Sequence, residues 1–320
     1  MPAGIAARAR QLPNELFVER NRDPSHAVLV LGSGRSGTTW LAEAIARRHR
    51  SRLLFEPFHP RLGTIGEDAR LFLDPGQRPP GFERAAERVL RGRVRGPYID
   101  QIRVARLPRG RVIKDVHAGN LLPWFRANRP QVPVVYVVRH PLAASLSRLR
   151  ADAFYGLGDY LATPAGREQA EGSSAAAWLP LYDRRREDAE PLVRLVAEWC
   201  LENVVPLGHG EDAGVALTFY ENAVRDPAAE LARLDELCAP ALGPAREAAD
   251  AGLARAPSAT DWRGTAAAAH RSGDWEKLLG AWTSEIPRPT VERCLAVVAE
   301  FGLDRLYGDG PLPATGPGAQ

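Results

Sequence analysis

Arg35 stands among glycines and hydroxyls. The run Gly32-Ser33-Gly34-Arg35-Ser36-Gly37-Thr38-Thr39-Trp40 puts three glycines, four hydroxyl side chains and one guanidinium into nine residues. Glycines let a backbone turn tightly around an anion, and successive N–H groups at a helix start then bind phosphate oxygens. Ser36, Thr38 and Thr39 add hydroxyl donors, and Arg35 adds a permanent cation with a bidentate fork. The spacing G-x-x-x-x-G from Gly32 to Gly37 is that of a triphosphatase loop, but Thr38 stands where such a loop needs lysine. The cation has moved inside the loop, and this disfavours a kinase or NTPase.

A second anion-binding pattern follows the apolar run Val134–Val138, which ends in Arg139-His140-Pro141. A helix beginning at Pro141 carries Ser147 about two turns along, where its hydroxyl can share an anion with Arg139. A Walker-type enzyme would place a magnesium-binding aspartate at such a strand end. Arginine there repels a metal and attracts a phosphate.

Two residues qualify as a general base. Glu56 lies in Leu54-Phe55-Glu56-Pro57-Phe58-His59, where apolar neighbours are expected to desolvate the carboxylate and raise its pKa. His117 lies in Ile113-Lys114-Asp115-Val116-His117, and imidazole is a natural base near neutral pH. His59 and His140 read as surface or packing residues.

At this point the chain resembles a family. Gly34-Arg35-Ser36-Gly37-Thr38-Thr39-Trp40 is similar to the 5′-phosphosulfate loop of PAPS-dependent sulfotransferases, PAPS being 3′-phosphoadenosine 5′-phosphosulfate. The R-S-G-T-T form is closer to glycan and tyrosylprotein enzymes than to cytosolic ones, which carry lysine there. Strand-R-x-P-(x)5-S resembles the family's 3′-phosphate motif, which implies that Arg139 and Ser147 hold that phosphate. Thr218-Phe219-Tyr220-Glu221-Asn222 with Asp226-Pro227 resembles a structural segment of the family. Arg271-Ser272-Gly273-Asp274-Trp275 resembles the C-terminal loop that closes over the donor, with Arg271 reaching the 3′-phosphate or adenine.

The resemblance implies metal-independent, in-line transfer of a sulfuryl group from PAPS to a hydroxyl or amine. Glycan-type members place a glutamate base where Glu56 stands. Cytosolic members have K-T-H-x-P after the third strand. Here Lys114 matches, but Val116 takes the histidine's position and His117 is displaced by one. In an extended backbone that shift turns the side chain to another face. Some bacterial members carry K-x-x-H, which this chain fits. Lys114 is then a contact for the transferring sulfonate. The competing classes are a P-loop kinase or NTPase and a non-catalytic nucleotide-binding protein that keeps the fold.

The elements that must position these residues alternate. Strands are expected at Ala27–Leu31, Leu53–Phe55, Arg111–Ile113, Val134–Val138 and Gly214–Phe219. Helices are expected at Thr38–His49, Phe82–Leu90, Leu121–Ala127, Ala143–Arg150, Glu187–Leu207, Pro227–Leu237 and Pro289–Phe301. The pattern predicts a three-layer α/β/α fold with a central parallel sheet, P-loop-like, in which ligands sit beyond the carboxyl ends of the strands. Residues 1–25 read as an arm, 26–309 as one domain and 310–320 as a flexible tail. Within the domain, 151–188 reads as a loop-rich acceptor lid with Phe154, Tyr155, Tyr160, Trp178 and Tyr182.

Composition bounds the rest. The 320 residues carry 42 Lys+Arg against 39 Asp+Glu, a net charge of only +3, so no nucleic-acid or membrane partner is expected. Cys200, Cys238 and Cys294 form no C-x-x-C pair, so neither a zinc site nor a disulfide framework is expected. No secretory signal or membrane span is legible, and a cytoplasmic protein is expected. The partner expected is a small-molecule or carbohydrate acceptor. The oligomeric state is left open, with a homodimer allowed.

Overall fold

The computed structural model describes residues 21–151, 156–210, 212–246 and 274–314. Five strands, β1 (Ala27–Gly32), β2 (Arg52–Phe55), β3 (Arg111–Asp115), β4 (Val134–Val138) and β5 (Val215–Phe219), form one parallel sheet in the order β2-β3-β1-β4-β5. β1 lies at the centre, with Leu29 opposite Ile113 on one side and Val134 on the other. From β1 the chain passes to the edge strand β2 and returns to β3 beside β1, then crosses to β4 and β5 on the other side. The sheet order therefore reverses at the end of β1, the position where open α/β sheets bind ligands.

The strands are apolar because both faces are covered. Leu29, Leu31, Ile113, Val134, Tyr136 and Val138 pack into one core cluster, and Val28, Val30, Val112, Val135 and Val137 into the other. Helices α1 (Thr38–Arg48) and α10 (Pro227–Leu242) cover the second face. The first is covered by α2 (Pro80–Leu90), α3 (Leu122–Asn128), α4 (Pro141–Ala151), α8 (Pro191–Leu207) and α12 (Arg288–Glu300). The three-layer α/β/α class is thus present in the sheet itself. No helix among the described residues is long and apolar enough to cross a membrane.

Three expectations change. The segment 151–188 is helical rather than loop-rich where it is described: α5 (Leu157–Leu161), α6 (Pro164–Glu171) and α7 (Leu179–Arg186) follow one another. Tyr160, Leu179 and Tyr182 are buried in the main core, so these side chains hold helices together. Phe154 and Tyr155 lie outside the described residues. The helix expected over Glu187–Leu207 starts at Pro191, because proline cannot continue a preceding helix but suits a first turn. Finally, residues 310–314 are bound back to the body: Tyr307 bridges Pro313, and the Ala314 N–H donates to the Leu306 carbonyl at 2.8 Å.

The remaining helices, α9 (Tyr220–Arg225) and α11 (Trp275–Gly280), flank the end of β5. Tyr220 and Leu279 share a small third cluster there.

Candidate active site

The loop after β1 is shaped by its close neighbours. Gly32 has φ 148°, and a Cβ there would lie 2.3 Å from the Val137 carbonyl oxygen. Gly37 has φ 85°, and its Cβ would lie 2.4 Å from the Tyr220 ring. Neither position admits a side chain. Arg35 is left-handed at φ 67° without being glycine, a conformation that costs about 1–3 kcal/mol and persists only where the surroundings hold it. Ser33 Oγ and Ser36 Oγ are 2.8 Å apart inside the loop. Helix α1 begins at Thr38 with Gly37 as its cap residue, and no side chain caps its first turn. Ser36, Thr38 and Thr39 are buried around that turn, and Trp40 packs into the core behind it.

The second anion motif meets the first. Arg35 Nε donates to Ser147 Oγ at 3.0 Å. Arg139, just beyond β4, donates from Nη1 to the Arg35 carbonyl at 2.9 Å and lies 4.6 Å from the centre of the Tyr220 ring. Arg139 Nε is buried and has no hydrogen-bond partner, an orphaned cationic donor of the kind an anion satisfies. Arg35, Arg139 and Ser147, far apart in sequence, therefore share one place. Gly34, next to Arg35, is buried. Arg271 lies outside the described residues, while Asp274 of the same motif caps α11 by accepting from the Lys277 N–H.

The two candidate bases also meet. Glu56 follows β2 at φ 44° and is 8% exposed. Its carboxylate is paired with Lys114 Nζ and accepts from the Tyr98 hydroxyl. Burial alone would raise its pKa, as the sequence reading expects. The Lys114 ammonium, with hydrogen bonds from Lys114 and Tyr98, outweighs burial and holds the carboxyl at about 2. The expectation of a raised pKa is therefore corrected: a buried cation across the β2–β3 pair reverses it. Lys114 also lies 4.5 Å from the centre of the Phe55 ring.

His117 Nε2 lies 4.0 Å from Glu56 Oε2. The one-residue displacement does not turn it away, because β3 ends at Asp115 and the chain bends there. The His117 N–H folds back onto Asp115 Oδ1 at 2.8 Å. Burial lowers the His117 pKa to about 3 against the opposing pull of Glu56, so the ring is neutral.

His59, read as a surface or packing residue, is buried with its ring centre 4.4 Å from that of His117. Asp115 was also missed. It is fully buried, accepts from the Phe58 and His117 N–H groups at 2.7 and 2.8 Å, and is raised by burial and then by Glu56 to about 7. Tyr98 gave no signal at all, since its approach to Glu56 depends on a long excursion between α2 and β3. The K-D-V-H spacing could have exposed Asp115, because a carboxylate two residues before a bend caps it readily. His140 is a packing residue, stacked on Trp282 with ring centres 4.4 Å apart.

Glu56, His59 and His117 bring ligand-type atoms within 4.8 Å of one another. The chemistry does not suit a metal. His59 Nδ1 accepts from the Arg61 and Leu62 N–H groups at 3.1 and 3.2 Å, which leaves the proton of the neutral ring on Nε2. The Glu56 oxygens are engaged by Lys114 and Tyr98.

A narrow pocket lies between Ser33 at the start of the loop and His117, walled by Leu71, Tyr136, Leu157 and Glu202. The arrangement can hold a phosphate-bearing ligand at one end and handle a proton at the other.

Solved structures similar to this chain are sulfotransferases. One from Alicyclobacillus acidocaldarius is 16% identical, covers 88% of this chain and 97% of its own, and has a TM-score of 0.38. The sulfotransferase domain from the curacin biosynthetic pathway is 15% identical, covers 86% and 97%, and has a TM-score of 0.44. A mouse sulfotransferase complexed with PAP is 19% identical, covers 92% and 90%, and has a TM-score of 0.41. No protein-family model and no curated protein matches the chain. At these identities and scores the likeness carries no functional argument, which rests instead on the site.

Proposed function

We propose that the protein is a sulfotransferase that moves a sulfuryl group from PAPS to a hydroxyl or amine of a small-molecule or carbohydrate acceptor. The observation that carries this reading is the meeting of Arg35, Ser147 and Arg139, with Arg139 Nε buried and unpartnered. A P-loop kinase fits less well. Thr38 replaces its lysine, and Arg139 occupies the strand end where a metal-binding carboxylate belongs.

In this reading the glycine loop and Arg35 hold the 5′-phosphosulfate, and Arg139 with Ser147 holds the 3′-phosphate. The acceptor oxygen or nitrogen forms its bond to sulfur as the bond from sulfur to the bridging phosphate oxygen breaks. The transition state is loose and anionic, so alignment and positive charge supply most of the catalysis. Proton removal falls to His117, which burial keeps neutral and able to accept. The Glu56 carboxylate, ionised at all working pH values, favours the imidazolium that forms. Lys114 fixes Glu56 and contributes charge near the sulfonate.

Incubation with sulfur-labelled PAPS and a panel of phenols, alcohols, amines and oligosaccharides tests the reading. Label is expected on at least one acceptor, together with release of 3′,5′-bisphosphoadenosine. Release of labelled phosphate from ATP–magnesium instead, with PAPS left intact, contradicts it.

A further inference from the structure

Arg148 follows Ser147, and the donor reading gives it no role. Its side chain is 1% exposed and paired with a carboxylate. Nε donates to the Gly34 carbonyl at 3.1 Å. Nη2 is paired with Glu202, and Nη1 lies 3.8 Å from Glu198 Oε1. Both glutamates stand on α8, one turn apart. The next carbonyl of the loop, that of Arg35, is held by Arg139 at 2.9 Å. Two arginines from one strand–helix junction thus grip two successive carbonyls of the anion loop.

A planar trans peptide points its N–H opposite to its C=O. Drawing the Gly34 carbonyl toward Arg148 therefore turns the Arg35 N–H the other way. The peptide so held leads into Arg35, whose φ of 67° needs external support.

We propose that Arg148 is a positioning residue that holds the anion loop in its phosphate-binding shape, with the Glu202 carboxylate as its lock. The inference rests on the phosphate reading of that loop. Arginine suits the task because its rigid fork donates from Nε to the Gly34 carbonyl and from Nη2 to Glu202 while the same charge faces Glu198.

The lock is sensitive to pH. Burial raises the Glu202 carboxyl to about 7, against Arg148 and with the charge of Glu198 adding to it. The titratable groups that face this pair are Glu198 and Cys200 on α8, Tyr182 on α7, Tyr136 on β4 and His117 across the pocket. Protonating Glu202 removes the main counter-charge of Arg148, so the grip on Gly34 weakens as pH falls through neutrality.

Calorimetric titration with 3′,5′-bisphosphoadenosine, run on wild type, Arg148→Lys and Glu202→Gln with thermal melting of each, tests this. Lysine keeps the charge between the two glutamates but cannot also donate to Gly34. Arg148→Lys is expected to melt cooperatively and bind the bisphosphate about tenfold more weakly. The ratio of wild-type to Glu202→Gln affinity is expected to rise several-fold between about pH 6 and about pH 8; taking the ratio cancels the titration of the ligand's own phosphates. Wild-type affinity in Arg148→Lys, or a ratio flat with pH, overturns the proposal. If Arg148→Lys fails to fold, the pH ratio decides alone. Wild type that binds no bisphosphate overturns the donor reading, and this inference falls with it.

Discussion

At Glu56 one lysine reverses the effect of burial. The carboxylate is desolvated, but Lys114 holds it ionised and His117 stands 4.0 Å away. With Glu56 held at about 2 and His117 at about 3, both are in their working forms above those values and lose them only as pH falls further. Turnover is therefore expected to show no acidic limb from either group between about pH 8 and about pH 5. In Lys114→Met the Glu56 limb should move up into that range, and a pH–rate profile of the variant checks it. His117→Ala is expected to cut turnover by about 10²–10⁴ while bisphosphate affinity stays within a few-fold of wild type. Full turnover in His117→Ala, alongside an inactive Glu56→Gln, would return the base to Glu56. The sequence made Glu56, Lys114 and His117 visible by their places after strands. It hid their pairing, because Glu56 and Lys114 are 58 residues apart and meet only through the register that sets Phe55 beside Lys114. The direction of the Glu56 shift depended on that register.

The β1–α1 turn shows what an element needs beyond its own residues. Gly37 is required by its conformation and also by Tyr220, which arrives from the far edge of the sheet. Gly37→Ala is expected to abolish measurable bisphosphate binding, because the new Cβ must displace either the loop or the ring. Removing the ring in Gly37→Ala/Tyr220→Ala should restore only part of the affinity, since the positive φ still costs about 1–3 kcal/mol. Calorimetry on both variants checks this, and unchanged binding in Gly37→Ala would show that the loop does not hold the ligand. The strand and helix ends around the site were legible, since continuous valines and a glycine turn leave little choice. The helices of 156–186 were not. Their glycines, prolines and serines look like loop residues. In the structure Thr163 and Ser173 cap helical turns and Pro164 begins one.

The whole molecule gathers buried carboxyls around its site. Asp115 and Glu202 both have pKa values raised to about 7 by burial. An acid whose folded pKa is raised binds its proton more tightly when folded, so stability falls as pH rises from the unfolded value through the folded one. Buried His117 and His140, lowered to about 3 and about 4, act in the opposite sense over the same range, so the carboxyl contribution is read as a difference. The thermal midpoint of wild type minus that of Asp115→Asn is expected to be larger near pH 5.5 than near pH 8. A difference that is flat or rises from about pH 5.5 to about pH 8 would contradict the burial of Asp115 as an ionisable group. The overall architecture followed from alternating strands and helices, whereas this internal charge network did not, because every partner in it is supplied by tertiary packing. The central claim is that one place in this fold holds the two phosphates of PAPS without a metal. The most direct measurement is a calorimetric titration of the wild-type chain and Arg139→Ala with 3′,5′-bisphosphoadenosine in the absence of metal, with ATP–magnesium as comparator. Wild type is expected to prefer the bisphosphate, and Arg139→Ala to lose about tenfold or more of that affinity while still folding. Preference for ATP–magnesium, or an affinity indifferent to Arg139, would contradict that claim.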